Sequence, residues 1–203
     1  DMLPSGKAIG GAPANFAYHA GRLGEEGWVV SAVGDDALGH EILDVLDEKR
    51  LHSLVAMSEK PTGTVQVSLD AAGVPTYTIV EDVAWDHIPF TPKMQDLASR
   101  ADAVCFGSLV QRNGSRASVL KFLEAVPASA LKVFDINLRQ HFYTPEILQK
   151  SLEIADVLKI NDEEIVTLSE MFGLGSDPRE ACRKLIGQYS LRFVLLTKGA
   201  RGS

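Results

Sequence analysis

Four short constellations in this 203-residue sequence have residue types that could do chemistry. In Gly10-Gly11-Ala12-Pro13-Ala14-Asn15, two adjacent glycines let the backbone approach a ligand closely, because no Cβ stands in the way. Pro13 suits a first helical turn, where a missing N–H costs nothing. Asn15 then sits beside unpaired N–H groups at the positive end of a helix dipole. Its amide can both donate to and accept from a polyhydroxylated ligand. The alternative is a glycine turn opening an ordinary amphipathic helix. Asp135, Asn137 and Arg139 are two apart, so an extended segment would project them to one side. Arg139 would offer a planar donor fork to a phosphate or a hydroxyl. The alternative is a structural ion pair between Asp135 and Arg139. Asn161 and Glu164 have the spacing of a capping box, at a helix start whose dipole also favours anions. Thr197-Lys198-Gly199 follows an apolar run and has little specificity by itself. No Gly-rich loop ending in Gly-Lys-Ser/Thr occurs, so ordinary P-loop chemistry is not on offer.

These residues need a scaffold. Trp28–Val33, Ala103–Phe106, Val133–Ile136, Val157–Ile160 and Phe193–Leu196 are nearly continuous apolar runs, as parallel strands covered on both faces should be. Amphipathic stripes lie between them: Leu38, Ile42, Val45 and Leu46; Val119, Leu120, Phe122, Leu123 and Val126; Ala181, Leu185, Ile186 and Tyr189. Thr91-Pro92, Thr144-Pro145 and Asp177-Pro178 read as helix starts, each a cap followed by Pro. Strand–helix alternation of this kind predicts an α/β fold with a doubly wound, mostly parallel sheet. Such sheets bind ligands outside the carboxyl ends of their strands. Gly34-Asp35-Asp36, Gly107-Ser108 and the constellations at Asp135, Asn161 and Thr197 all follow predicted strands. Any one could be a routine turn, and Asp36 is most simply the cap of a helix starting near Ala37.

One segment breaks the rhythm. Thr64–Asp70 alternates polar and apolar residues, Ala72-Gly73-Val74-Pro75 turns, and Thr76–Val80 alternates again. This predicts a hairpin with one wet face, which cannot be stable alone. It is either an edge hairpin of the main sheet or a separate flap.

Composition narrows the partners. The net charge is −7, which argues against nucleic acid or an anionic membrane surface. Cys105 in an apolar run and Cys182 on a helix face read as buried thiols in a reducing compartment, so the cytoplasm is the default location. No apolar run reaches membrane-spanning length. The sequence starts at Asp1 without Met and stops at Ser203, just after a predicted strand, so a longer parent protein is expected.

The double glycine with Asn15, Ala17, Gly24 and Gly34 resembles the first signature of the PfkB (ribokinase-like) carbohydrate kinases. Asn161 and Glu164 match that family's Asn-x-x-Glu motif, and Thr197-Lys198-Gly199 resembles its nucleotide-side strand end. Asp135-x-Asn137-x-Arg139 and Gly107-Ser108-Leu109 resemble the fructokinase-like branch. The resemblance implies an α/β core over 10–60 and 86–203, incomplete at both ends, and a β-lid from 1–9 and 61–85. Leu3–Ile9 would add a strand to that lid, which would also be a homodimer contact. It implies that Asp1, Gly10, Gly11, Asn15, Tyr77, Asp135, Asn137 and Arg139 surround the sugar, with Arg139 near the transferred phosphate. Asp1 could equally be a frayed end. Asn161, Thr197, Lys198 and Gly199 would face ATP, and Glu164 would hold a hydrated Mg²⁺ bridging its phosphates. K⁺ is an optional further cofactor.

Between Pro61 and Pro92 there is no Lys or Arg, while Asp70, Glu81, Asp82 and Asp86 are present. A lid of that sign suits a neutral acceptor. Family members acting on 2-keto-3-deoxygluconate share a lid Tyr-x-Arg, and Tyr77-Thr78-Ile79 lacks its Arg. A neutral sugar is therefore favoured over the sugar acid, although Arg112 and Arg139 could serve a carboxylate, and the resemblance of Gly107-Ser108-Leu109 and Phe134–Arg139 to fructokinases favours fructose over ribose. The family's catalytic base is an Asp in a Gly-Ala-Gly-Asp-type helix start. These residues contain no such motif, and the resemblance places that Asp beyond Ser203. The expectation is a fructokinase-like sugar kinase whose 203-residue segment is inactive alone. The alternatives are a 2-keto-3-deoxygluconate kinase, a ribokinase or nucleoside kinase of the family, and a non-catalytic sugar-binding regulator on the same fold.

Overall fold

The computed structural model describes residues 2–3, 6–7, 10–69 and 75–203. The expectations for Asp1 and for the hairpin turn lie outside them. The chain forms two compact units: 1–94 with 113–118, and 95–112 with 119–203.

In the first unit, α1 (Ala12–Arg22) leads to β3 (Trp28–Gly34), α2 (Ala37–Glu48) and β4 (His52–Ser58). β3 and β4 pair in parallel from Trp28↔His52 to Gly34↔Ser58. Ala17, Val29 and Leu46 form the buried cluster that joins α1, β3 and α2. Gly27 permits the approach of α1, because a Cβ there would stand 2.2 Å from the Ala17 carbonyl oxygen. β4 does not stand out in the sequence. Its early residues are exposed and its apolar run is short, so it lacks the look of a strand covered on both faces.

The segment 1–9, expected to add one strand, contributes two short ones, β1 (Met2–Leu3) and β2 (Gly6–Lys7). They join the hairpin strands β5 (Val65–Leu69) and β6 (Pro75–Ile79) in a small sheet of order β2-β1-β5-β6. β5 and β6 are antiparallel, while β1 meets β5 in parallel at Met2↔Gln66. The hairpin therefore belongs to a separate sheet. Pro75 opens β6 on the sheet's edge, where its missing N–H breaks no ladder.

The second unit holds a four-stranded, all-parallel sheet of order β10-β9-β8-β7. Its strands are β7 (Ala103–Gly107), β8 (Leu131–Asp135), β9 (Val157–Asn161) and β10 (Phe193–Thr197). β8 begins and ends earlier than the Val133–Ile136 expected. Helix α5 (Pro145–Ile154) lies between β8 and β9 in the chain, and α6 (Glu164–Phe172) and α7 (Pro178–Tyr189) both lie between β9 and β10. Helices α3 (Pro92–Ser99) and α4 (Ser115–Ala125) each run across the division between the units.

Phe134, Ile136, Leu148, Leu152, Leu158, Ile160, Leu168 and Leu185 are fully buried in one core, with Phe106 and Phe134 stacked at 5.2 Å. Burial of each large apolar side chain contributes about 1.5–3 kcal/mol. All three expected caps form: Thr91, Thr144 and Asp177 accept from the N–H groups of Met94, Ile147 and Glu180.

Candidate functional site

The candidate residues fall in both units. In the first, Gly11 precedes α1 with φ +114, a backbone conformation essentially reserved for glycine. Among the described residues, apart from its chain neighbours and the nearby helix backbone, nothing lies within 4 Å of where its Cβ would stand, so the requirement is one of torsion. Asn15 is exposed in the first turn of α1, its N–H donating to the Gly11 carbonyl at 3.1 Å. Gly10 is half-buried. Tyr77 lies on β6 opposite Val67 and is 53 % exposed.

Asp36 does cap α2, and it does more. Its Oδ1 accepts from the Gly39 N–H at 2.8 Å and from the Thr62 hydroxyl at 2.7 Å. Its Oδ2 accepts from the Thr62 N–H at 2.8 Å. The Thr62 backbone N–H, then its hydroxyl, hold the Asp36 carboxyl below the usual carboxylate range. The negative charge counted over residues 61–92 also needs correction. Asp82 is ion-paired with Lys60 at 2.5 Å and hydrogen-bonded to His87 at 2.7 Å, and Asp86 is buried, accepting from the Val83 N–H. Glu81 is exposed, Asp70 lies outside the described residues, and the absence of Lys and Arg in this stretch stands.

In the second unit, the carboxyl ends of β8, β9 and β10 assemble a polar rim. Asp135 ends β8, and its partner is Lys159 of β9 at 2.9 Å, not Arg139. The segment after β8 is not extended: Asn137 takes φ +42, which Asn tolerates better than most residues. That reversal cancels the alternation that would have aligned Asp135, Asn137 and Arg139. Arg139 is exposed, and its Nη1 donates to the Leu138 carbonyl at 2.9 Å.

Asn161 and Glu164 form the reciprocal box. The Asn161 Oδ1 accepts from the N–H groups of Glu163 and Glu164 at 2.9 and 2.8 Å. The Glu164 Oε2 accepts from the Asn161 N–H at 3.0 Å. Its Oε1 reaches across to accept from the Leu138 N–H at 2.9 Å. This buried carboxylate therefore ties the loop after β8 to the start of α6. Thr197 pairs with Asn161 in register, and its carbonyl accepts from the Asp162 N–H at 3.1 Å. Beyond it, the Lys198 N–H donates to the Gly202 carbonyl, Gly199 takes φ +58 in a short 3-10 turn, and Arg201 pairs with Asp162. Ser203 follows this turn and is exposed. The expectation of a catalytic Asp beyond Ser203 concerns residues outside those described.

Lys159 is the residue that sequence reasoning missed. Its signal is a lone charge inside an apolar run, Val157-Leu158-Lys159-Ile160. Arg112 is buried with its guanidinium 4.4 Å above the Phe142 ring. Cys105 lies beneath the rim in β7. Burial, then the Asp135 charge, pushes its thiol up to about 12. At pH 8 only about one in ten thousand such groups is thiolate. Iodoacetamide at that pH should leave Cys105 unlabelled in the folded protein and modify it readily in urea. Prompt labelling of the folded form, read by mass spectrometry, would contradict this burial.

Together the parallel sheets, their polar carboxyl-end rim and the small separate sheet define a ribokinase-like α/β protein. The sequence matches the pfkB family of carbohydrate kinases over residues 6–203, and the chain belongs to that family. It is 33 % identical over 171 residues to the uncharacterized sugar kinase PH1459 of Pyrococcus horikoshii, covering 80 % of this chain and 55 % of that protein. The structure of that kinase in complex with ATP superposes with a TM-score of 0.70 at 31 % identity, covering 80 % of this chain and 57 % of that one. The fructokinase of Vibrio alginolyticus is 27 % identical over 216 residues, spanning all of this chain and 68 % of that protein. The apo fructokinase of Vibrio cholerae O395 shares the fold, with a TM-score of 0.79 at 24 % identity over 94 % of this chain and 67 % of that one. The chain thus spans little more than half the length of the Pyrococcus relative.

Proposed function

We propose that the protein carrying this chain transfers the γ-phosphoryl group of ATP to a hydroxyl of a neutral sugar, fructose foremost. The observation that carries this reading is the rim on which Asp135, Lys159, Asn161, Glu164 and Thr197 converge, within a carbohydrate-kinase family match. Phosphoryl transfer asks the protein chiefly for alignment, charge neutralisation and exclusion of water. Asp1, Gly10, Gly11, Asn15 and Tyr77 would hold the acceptor, joined by Asp135, Asn137 and Arg139. Asn161, Thr197, Lys198 and Gly199 would face the nucleotide. The small sheet would act as the lid that excludes water, over the division 1–9 and 61–85 against a core of 10–60 and 86–203. Its pairing with a second copy would give the dimer. The base would come from a Gly-Ala-Gly-Asp-type helix start that follows Ser203 in the parent protein.

Mg²⁺ fits the donors present. It is commonly held by one or two carboxylates, water and substrate phosphates. Each Glu164 oxygen accepts one backbone N–H and keeps a lone pair for a metal-bound water. Bound there, the ion would neutralise phosphate charge.

The test is a coupled assay of the full-length protein with fructose, ribose and 2-keto-3-deoxygluconate, beside the 203-residue chain alone. Fructose should give the highest kcat/KM, and the short chain no turnover, since it holds no Gly-Ala-Gly-Asp-type base. A strong preference for the acid would overturn the neutral-acceptor argument. Turnover by the short chain would mean the base has been misplaced.

A further inference from the structure

Both arms of the hairpin are fastened at its root, and by different means. The entering arm, 59–64, is pinned by Thr62, which is 6 % exposed. Its hydroxyl accepts from the Gly34 N–H at 2.9 Å while donating to Asp36. With its N–H also given to Asp36, Thr62 ties the hairpin to the end of β3 and the start of α2. The leaving arm, 80–83, is held to the entering one by backbone. The Val80 N–H donates to the Thr64 carbonyl at 3.1 Å, and the Ala84 N–H to the Pro61 carbonyl at 2.8 Å. Gly63 lies flush against the leaving arm, where a Cβ would meet the Trp85 indole at 2.1 Å and Val83 at 3.1 Å. Outside these contacts, Lys60 and Asp82 form an exposed pair, a kind worth little in water.

We propose that Asp36 and Thr62 are positioning residues that lock the root of the hairpin, so that any lid motion is confined to the strands beyond Thr64 and Val80. The consequence for acceptor affinity rests on the kinase reading above; the locking itself does not. β1 and β2, two residues each, add little to this ribbon, so its orientation depends on how its ends are held. Thr62 is specified here by hydrogen bonding. Valine has nearly the same shape but would leave the Gly34 N–H without its acceptor.

The experiment is amide hydrogen exchange on the full-length protein, with KM for fructose and for ATP measured in parallel. The variants are Thr62→Val, Asp36→Asn and Thr62→Ser. Asparagine caps helices as well as aspartate, so Asp36→Asn keeps the α2 cap and disturbs only the Thr62 side. It serves if Thr62→Val does not fold. Thr62→Val and Asp36→Asn should each speed exchange in β5 and β6 by about tenfold or more, with β7–β10 within about twofold of wild type. Acceptor KM should rise about tenfold while ATP KM holds, and Thr62→Ser should restore both. Exchange in β5 and β6 within about twofold of wild type in both variants would overturn the proposal. A parallel rise in β7–β10 would also overturn it, as general destabilisation. A hairpin that loosens as expected in a protein that phosphorylates none of the sugars would uphold the lock and sink the kinase reading.

Discussion

Glu164→Ala should cost the protein about 2–4 kcal/mol of stability and most of its nucleotide-dependent activity. The carboxylate is buried and accepts two backbone N–H groups, Leu138 through Oε1 and Asn161 through Oε2. Alanine strands both donors, and an unsatisfied buried donor costs about 1–3 kcal/mol. Glu164→Gln keeps one oxygen and the shape of the side chain, so its loss should be about half as large. Urea melts of the two variants against wild type separate these outcomes. A cost below about 1 kcal/mol for alanine would mean that water replaces the carboxylate at no penalty. In the assay, Glu164→Gln should raise the Mg²⁺ concentration needed for half-maximal rate. A Mg²⁺ response identical to wild type would reduce Glu164 to its capping role.

Gly39→Ala should be at least as damaging, at about 3 kcal/mol or more. The added Cβ would stand 2.0 Å from the Gly34 carbonyl oxygen and 2.9 Å from the Thr62 hydroxyl. The nearest obstacle is backbone, so no side-chain rotation relieves it. The start of α2 must move off the end of β3, and the hydrogen bonds that Gly39 and Thr62 donate to Asp36 stretch together. Gly187→Ala is the control. It lies inside α7 with nothing among the described residues, outside its own helix backbone, within 4 Å of the new Cβ, so alanine there should raise stability by about 0.4–1 kcal/mol. Equal midpoints for the two variants in thermal melts would show that crowding at Gly39 is relieved by a small shift.

Much of this arrangement was legible because local rules and tertiary packing agreed. The apolar runs at Val157–Ile160 and Phe193–Leu196 became β9 and β10 with one residue added to each; β9 is covered on both faces as expected, whereas β10 is not, since Phe193 and Leu195 on one of its faces are exposed. The Asp-Pro and Thr-Pro helix starts were equally plain, because their chemistry is local. The Asn161–Glu164 box could be read from spacing alone. Its second bond, to the Leu138 N–H, could not, because 26 residues separate the partners and only the parallel crossover brings them together. Lys159 and Asp135 escaped pairing for the same reason, while Arg139, four residues from Asp135, was the nearer and wrong choice. The reversal at Asn137 was hidden by the general tendency of a strand's last residues to stay extended. Thr62 gave no signal at all: a threonine between proline and glycine reads as a turn, and its role appears only once Asp36 stands opposite.

The contact between Gly63 and Trp85 has an optical consequence. The chain has two tryptophans. Trp28 lies at the start of β3, its Nε1–H given to Glu26 and its ring stacked on His52 at 5.0 Å. Trp85 lies against the hairpin root, with its indole nitrogen facing the one residue that has no side chain to hold it off. Indole emission shifts with local polarity and quenching, so the second fluorophore is a built-in gauge of whether that root opens. With Trp28→Phe, the protein would report on the state of that root by a single colour change, with no dye attached.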